Sequence, residues 1–216
     1  MNTKAKGYAI GAIAAATYGT NPIFAIPLYN DGMDANSVLF FRYILAIPIV
    51  ALMMKMRGRG FALRKKEILP VIVMGFVMGM SSLALFESYN YMGAGIASTM
   101  LFVYPILVAI IMAIVFHERL GFLGILCIFL AVGGIFMLYN TGEGTTLNIT
   151  GVMFVILSAS SYAVYLVYVN HSLLKEMATL KLTFYVLIFG LLIFFAMSKG
   201  GSELAVPSRW YMWLNL

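Results

Sequence analysis

Residues 68–89, ILPVIVMGFVMGMSSLALFESY, carry a single charged side chain, Glu87, and no alternation of polar and apolar positions. A helix rises about 1.5 Å per residue, so about 20 such residues cross roughly 30 Å of hydrocarbon. This stretch predicts a membrane-spanning helix. Outward from it the pattern recurs, with apolar runs at 7–29, 37–56, 94–116, 120–139, 150–170 and 179–198 and another beginning near Arg209. Seven spans and the start of an eighth are expected.

Composition agrees. Hydrophobic residues make up 62% of the chain and charged residues 10%, against about 45–50% and about 25% in an average soluble domain. A membrane β-barrel needs strands of alternating polarity, which are absent here. The expected fold is an all-α polytopic membrane protein.

The charges fall between the runs. Asp31 and Asp34 occupy one turn, and Lys55, Arg57, Arg59, Arg64, Lys65 and Lys66 the next. No charge lies in 89–93, Glu118 and Arg119 follow, then Glu143, then Lys175 and Lys181. Cytoplasmic loops are enriched in Lys and Arg, so the alternation predicts a cytoplasmic amino terminus in a multi-pass cell (inner) membrane protein. Lys199 and Arg209 are the exceptions. The net charge of +6 therefore reads as membrane orientation, with the lipid bilayer as partner and no nucleic acid.

Metal, nucleotide and disulfide chemistry find no support. There is one cysteine, Cys127, in an apolar run, and no CxxC, HExxH or GxxxxGK[ST] pattern. Neither metal nor cofactor is expected. No nucleophile, acid pair or histidine set shares a depth, so an enzyme is not expected either.

Two charges lie inside apolar runs, Arg42 and Glu87. A charge at membrane depth is costly and normally faces a partner or a watery cavity. Counting along the helices places Asn21, Arg42 and Glu87 in the same half of the membrane. One polar cluster, with Glu87 neutralising Arg42, is one reading; Arg42 snorkelling to the interface and Glu87 as an interfacial carboxylate is the other. Pro22 removes a helical hydrogen bond and predicts a kink in the first span, whereas Pro27 reads as its end. Pro105, beside Tyr104, predicts a kink near the middle of the fourth span, either opening room for a solute or purely structural. Ser158, Ser161 and Tyr162 lie at similar depth in the sixth span, where serines also serve close helix packing. Tyr18, Asn21, Tyr104, Ser158, Ser161 and Tyr162 are the candidate solute-binding residues. Pro22, Arg42, Glu87, Pro105 and Glu118 are the structural or pathway residues. Glu118 in its tight turn is a local cap or a gate contact. Gly7-xxx-Gly11 and Gly75-xxx-Gly79 read as packing within the bundle, with a homodimer as the second reading.

The connection near 140–149 follows an odd number of spans, the arrangement of inverted repeats. Residues 1–140 are expected to form a first five-helix repeat, 141–149 an outer linker and 150–216 an incomplete second repeat. A second full repeat would extend the protein roughly 70–90 residues beyond Leu216, at about 25–30 residues per span and loop.

Several stretches resemble the drug/metabolite transporter superfamily, specifically its EamA-type ten-helix permeases. Tyr18-Gly19-Thr20-Asn21-Pro22 is similar to the family's aromatic-Gly-Ser/Thr-Asn segment, and Phe41-Arg42-Tyr43 to its aromatic-Arg-aromatic signature. Ala94-Gly95-Ile96-Ala97-Ser98 leading to Tyr104-Pro105, His117-Glu118-Arg119-Leu120, Gly133-Gly134, and Leu157-Ser158-Ala159-Ser160-Ser161-Tyr162-Ala163 continue the resemblance in order. It covers nearly all of 1–198 and implies a secondary transporter, often an exporter of amino acids or other small metabolites, working by alternating access. The alternative is a non-transporting membrane scaffold or subunit, or an inactive fragment of such a carrier.

Overall fold

The computed structural model describes residues 3–117, 126, 129, 130, 133, 134 and 148–216. Among them the secondary structure is helical, without strands. The first span runs through two helices, α1 (Thr3–Gly19) and α2 (Asn21–Asn30). Helices α3 (Ala35–Met56) and α4 (Lys65–Ser88) are continuous. The fourth span is divided again, into α5 (Ala94–Leu101) and α6 (Tyr104–Val115). Then come α7 (Ile149–His171), a 3-10 turn (Leu173–Glu176), α8 (Thr179–Met197) and the short α9 (Trp210–Asn215). Among the described residues six segments are long and apolar enough to cross a membrane. Most of the expected fifth span, 120–139, lies outside the described residues, as do Glu118 and Cys127.

Both divided spans break just before a proline. Thr20 separates α1 from α2, and Pro22 sits in the first turn of α2. Phe102 and Val103 separate α5 from α6, and Pro105 sits in the first turn of α6. A proline there loses nothing, because the N–H it lacks would have had no partner inside the new helix. The carbonyls a turn earlier lose their donor, so the preceding helix stops. At the first break the Thr20 hydroxyl supplies one replacement, donating to the Thr17 carbonyl at 2.7 Å. Pro27 does not end the span: it lies inside α2, which continues to Asn30. Pro48 and Pro70 are likewise accommodated within α3 and α4.

The spans alternate in direction, which gives the bundle two ends. At the Asp31 end, the Asp34 carboxylate accepts the Ser37 N–H at 3.3 Å and starts α3. The Asn148 side chain accepts the Thr150 N–H at 2.9 Å and starts α7. Asn36 Nδ2 donates to the Phe194 carbonyl at 3.1 Å, and the Ala205 N–H to Ser37 Oγ at 2.9 Å, joining α3 to the far end of α8. At the Arg59 end, the loop 57–64 folds onto α8.

Helix α4 is the most buried span and packs on α7 and α8, while α8 also packs on α3. Small residues permit the contact. A Cβ on Gly75 would lie 2.5 Å from Phe189 Cβ, and one on Gly190 2.7 Å from Tyr43 Cε1. Gly75-xxx-Gly79 is thus a seam inside the bundle. Gly7 and Gly11 meet no described atom within 4 Å. Phe194 is fully buried near the Asp31 end of α8, with Tyr43 edge-on to it at 4.9 Å. Ile13, Leu52, Met56, Leu69 and Ile114 stand exposed on the outside. So large an apolar exterior suits acyl chains rather than water.

Candidate functional site

Five spans meet around a cavity of about 170 Å³. The break in the first span brings Tyr18 and Asn21 to its wall, and α3 contributes Leu39, Arg42 and Tyr43. Helix α4 presents Met78, Ser81, Ser82, Leu85 and Phe86, a set spaced for one helical face. Leu101, where α5 stops, and Ser158 and Tyr162 of α7 complete it. By helical rise, Arg42, Ser81 and Ser158 lie roughly 10–14 Å below the helix ends at the Asp31 side. The wall is mostly apolar with a few polar groups, the usual make-up of a small-molecule site.

Arg42 is the charge in this wall. Its Nη1 donates to Asn21 Oδ1 at 2.6 Å and its Nη2 to the Asn215 carbonyl at 3.1 Å. Its guanidinium carbon stands 5.3 Å from the centre of the Phe86 ring, a cation–π arrangement. Its Nε is buried and has no hydrogen-bond partner. Among the described residues no carboxylate lies within ion-pair distance of it. Both of its hydrogen-bond acceptors are neutral. The positive charge is therefore held in place but not neutralised.

Glu87 does not supply that neutralisation. Its carboxylate accepts from Asn90 Nδ2 at 3.0 Å. Successive helix positions are turned by about 100°. Phe86 faces the core, so Glu87, one residue on, is turned away from Arg42. The single polar cluster of Asn21, Arg42 and Glu87 is corrected to an Asn21–Arg42 pair.

The other hydroxyls are largely engaged. Ser158 Oγ donates to the Ser81 carbonyl at 2.7 Å, and Ser81 Oγ to the Ser158 carbonyl at 2.9 Å, a reciprocal clasp between α7 and α4. Tyr43 and Ser82 share a hydrogen bond of 2.9 Å. Tyr104 lies behind the wall, edge-on to Tyr162 with ring centres 4.8 Å apart. Ser161 is half-buried and outside the lining. Pro22 and Pro105 act through the helix breaks described above.

A second hollow, of about 300 Å³, adjoins the first and shares Asn21 and Arg42 with it. Thr17, Thr20 and Phe24 line one side, and Leu214 and Asn215 at the end of α9, with Leu216, the other. The Asn21–Arg42 pair thus stands between two spaces. Tyr211 of α9 donates to Asp31 at 3.2 Å, fixing this short helix over the mouth.

Sequence reasoning missed Tyr43, Ser81, Ser82 and Phe86. Tyr43 was visible only as part of a signature around Arg42. Ser81 and Ser82 were the polar pair in the middle of the quoted run, away from its end at Glu87-Ser88, and their i, i+4 relation to Leu85 and Met78 was the available signal.

Among the described residues no group of three His, Cys, Asp or Glu side chains is placed to hold a metal ion. No curated protein and no solved structure matches this chain. The family described as EamA-like transporter family matches residues 5–140, more than half of the sequence and inclusive of every cavity-lining residue except the two from α7. A helical bundle with membrane-length apolar spans around a largely apolar cavity that holds a few polar groups is the setting in which that match falls: the chain belongs to the EamA-like transporter family.

Proposed function

We propose that this chain belongs to a secondary transporter of the cell (inner) membrane that exports a small amphipathic solute bearing a carboxylate, such as an amino acid. One observation carries the proposal: a fixed, un-neutralised guanidinium in the wall of a cavity within the membrane. Such a charge needs a counter-ion. Guanidinium groups take carboxylates through parallel N–H bonds, and the buried Nε leaves one donor of Arg42 unsatisfied. The solute's apolar part would lie against Leu39, Met78, Leu85 and Leu101, with Tyr18 and Tyr162 at its flank.

Access to the two sides would alternate by rocking of the first five-helix unit against the second, around the shared site. Two features support this: the loop 57–64 is bonded to α8 at the Arg59 end, while the Asn21–Arg42 pair faces the second hollow toward the Asp31 end. The basic Arg59 end would be cytoplasmic, together with the amino terminus. The lining holds no carboxylate, which favours facilitated movement or exchange over coupling to a proton.

Reconstituted proteoliposomes test the proposal. Counterflow of labelled amino acids is expected, with little or none for matched amines that lack the carboxylate. Arg42→Gln should abolish it while the protein still inserts. Equal flux of acids and amines, or full activity of R42Q, would refute the assignment. No flux of any solute would favour a membrane scaffold instead.

A further inference from the structure

Segments 55–67 and 175–181 hold eight cations against Glu67 and Glu176, a formal +6, which equals the net charge of the whole chain. Membrane orientation accounts for the sign of this charge but not for its shape. The loop 57–64 is bound down on α8: Lys181 Nζ donates to the Ala62 carbonyl, and the Tyr185 hydroxyl to the Phe61 carbonyl. The Phe61 ring packs edge-on against Phe184, with centres 5.4 Å apart at 68°. The folded-back loop encloses a hollow of about 270 Å³ lined by Arg59, Arg64, Lys181, Glu67 and Glu176 together with backbone.

The side chains lining the hollow carry three positive charges against those of Glu67 and Glu176, a formal +1. Glu67 is engaged locally, since its carboxylate accepts the Arg64 N–H at 3.0 Å and lies 3.8 Å from Arg64 Nε. Among the described residues, Arg59 and Lys181 have no ion-pair partner. Leu52, Met56, Phe61, Ile68 and Leu69, at the adjoining ends of α3 and α4 and in the loop between them, are exposed and apolar. A cationic hollow at the same end of the bundle as exposed apolar helix ends matches one molecule in both its parts, an anionic phospholipid. A free phosphate would satisfy the charges and leave the apolar wall unused.

We propose that this hollow binds the headgroup of an anionic phospholipid, with Arg59, Arg64 and Lys181 on its phosphate and the acyl chains along Leu52, Met56 and Leu69. The site is separate from the central cavity and does not depend on transport. Under the rocking motion proposed above, on which this consequence alone rests, binding would bridge the loop after α3 and the start of α8 and favour the arrangement in which the Arg59 end is closed.

The test uses the full chain in mild detergent, titrated with dioleoyl phosphatidylglycerol or dioleoyl phosphatidylcholine and read by native mass spectrometry. Phosphatidylglycerol should be retained in preference to phosphatidylcholine. The double variant R59Q/R64Q should weaken retention about thirtyfold, at roughly 1 kcal/mol for each cation near an anionic headgroup. R59K/R64K, which keeps the charge, should stay within a few-fold of the parent, and Lys199→Gln at the opposite end should change nothing. Phe61→Ser keeps every charge but releases the ring from Phe184, and should also weaken retention; it decides the matter if R59Q/R64Q fails to insert. Equal retention of the two lipids, undiminished retention in both R59Q/R64Q and Phe61→Ser, or displacement of phosphatidylglycerol by equimolar inorganic phosphate would each overturn the proposal.

Discussion

Replacing Gly75 with alanine is expected to loosen the α4–α8 seam. The added Cβ would fall 2.5 Å from Phe189 Cβ and 3.4 Å from the Val186 carbonyl. Carbon atoms pack best at about 3.5–4.0 Å, so the overlap is about 1 Å. The atom it meets is bonded to the backbone of α8, and no rotamer change of Phe189 can move it. The two helices must separate. Overpacking of this kind costs about 1–3 kcal/mol, and the better helix propensity of alanine returns at most about 1 kcal/mol. A net loss of about 1–2 kcal/mol is expected. At Gly79 the nearest atom is Ile193 Cδ1 at 2.8 Å, the end of a flexible side chain, with Gly190 Cα next at 3.2 Å. Gly79→Ala should therefore be milder. Gly11→Ala meets nothing within 4 Å among the described atoms and should be neutral or slightly stabilising. Unfolding in mixed detergent–dodecyl sulfate micelles, followed by tryptophan fluorescence, gives the ranking. Equal effects at Gly75 and Gly11 would show that the seam is not the tight contact described.

Further outcomes are expected. Ser81→Ala and Ser158→Ala should each weaken unfolding stability by about 0.6 kcal/mol, the loss of one interhelical hydrogen bond to a backbone carbonyl, and because each carbonyl survives the partner's substitution the two losses should nearly add; no loss in either variant would dissolve the clasp. Tyr43→Phe should cost about 1 kcal/mol through the unpaired Ser82 hydroxyl, whereas Tyr104→Phe, which keeps the edge-on ring contact with Tyr162, should leave both stability and flux unchanged. Glu87→Gln should not alter solute counterflow, because the carboxylate bonds to Asn90; a large loss would restore a role for Glu87 beside Arg42. Arg42→Lys keeps a positive charge but cannot reach Asn21 and a solute with one planar fork, so flux should fall well below the parent even as insertion persists.

Much of the architecture was legible in the order of residues. Runs such as 68–89 leave no alternative to spanning helices, and the two prolines that open α2 and α6 announced breaks in their spans. Where each break fell was less legible. Pro22 and Pro105 sit just inside the new helices, whereas Pro27, Pro48 and Pro70 lie within helices that continue past them. A proline removes the same hydrogen bond in every case; neighbouring helices decide whether the freed carbonyl can be satisfied without a break.

The site divides in the same way. Arg42 stood out because a charge inside an apolar run is costly wherever the helix faces. Its partner could not be read, since Phe86 and Glu87 differ by one position and one position turns a side chain to another face. Nor could the Ser81–Ser158 clasp, whose members are 77 residues apart, or the choice of Gly75 over Gly11 as a packing seam. Hydropathy and length act on each segment alone, so the sequence by itself determined that this is a bundle of lipid-embedded helices and which side chains would be costly there. The phase of each helix about its own axis depends on the surfaces of its neighbours. Only the tertiary structure decided that Tyr18, Asn21, Arg42 and Tyr162 border one cavity, that Glu87 turns away from it, and that the basic loop closes back upon α8.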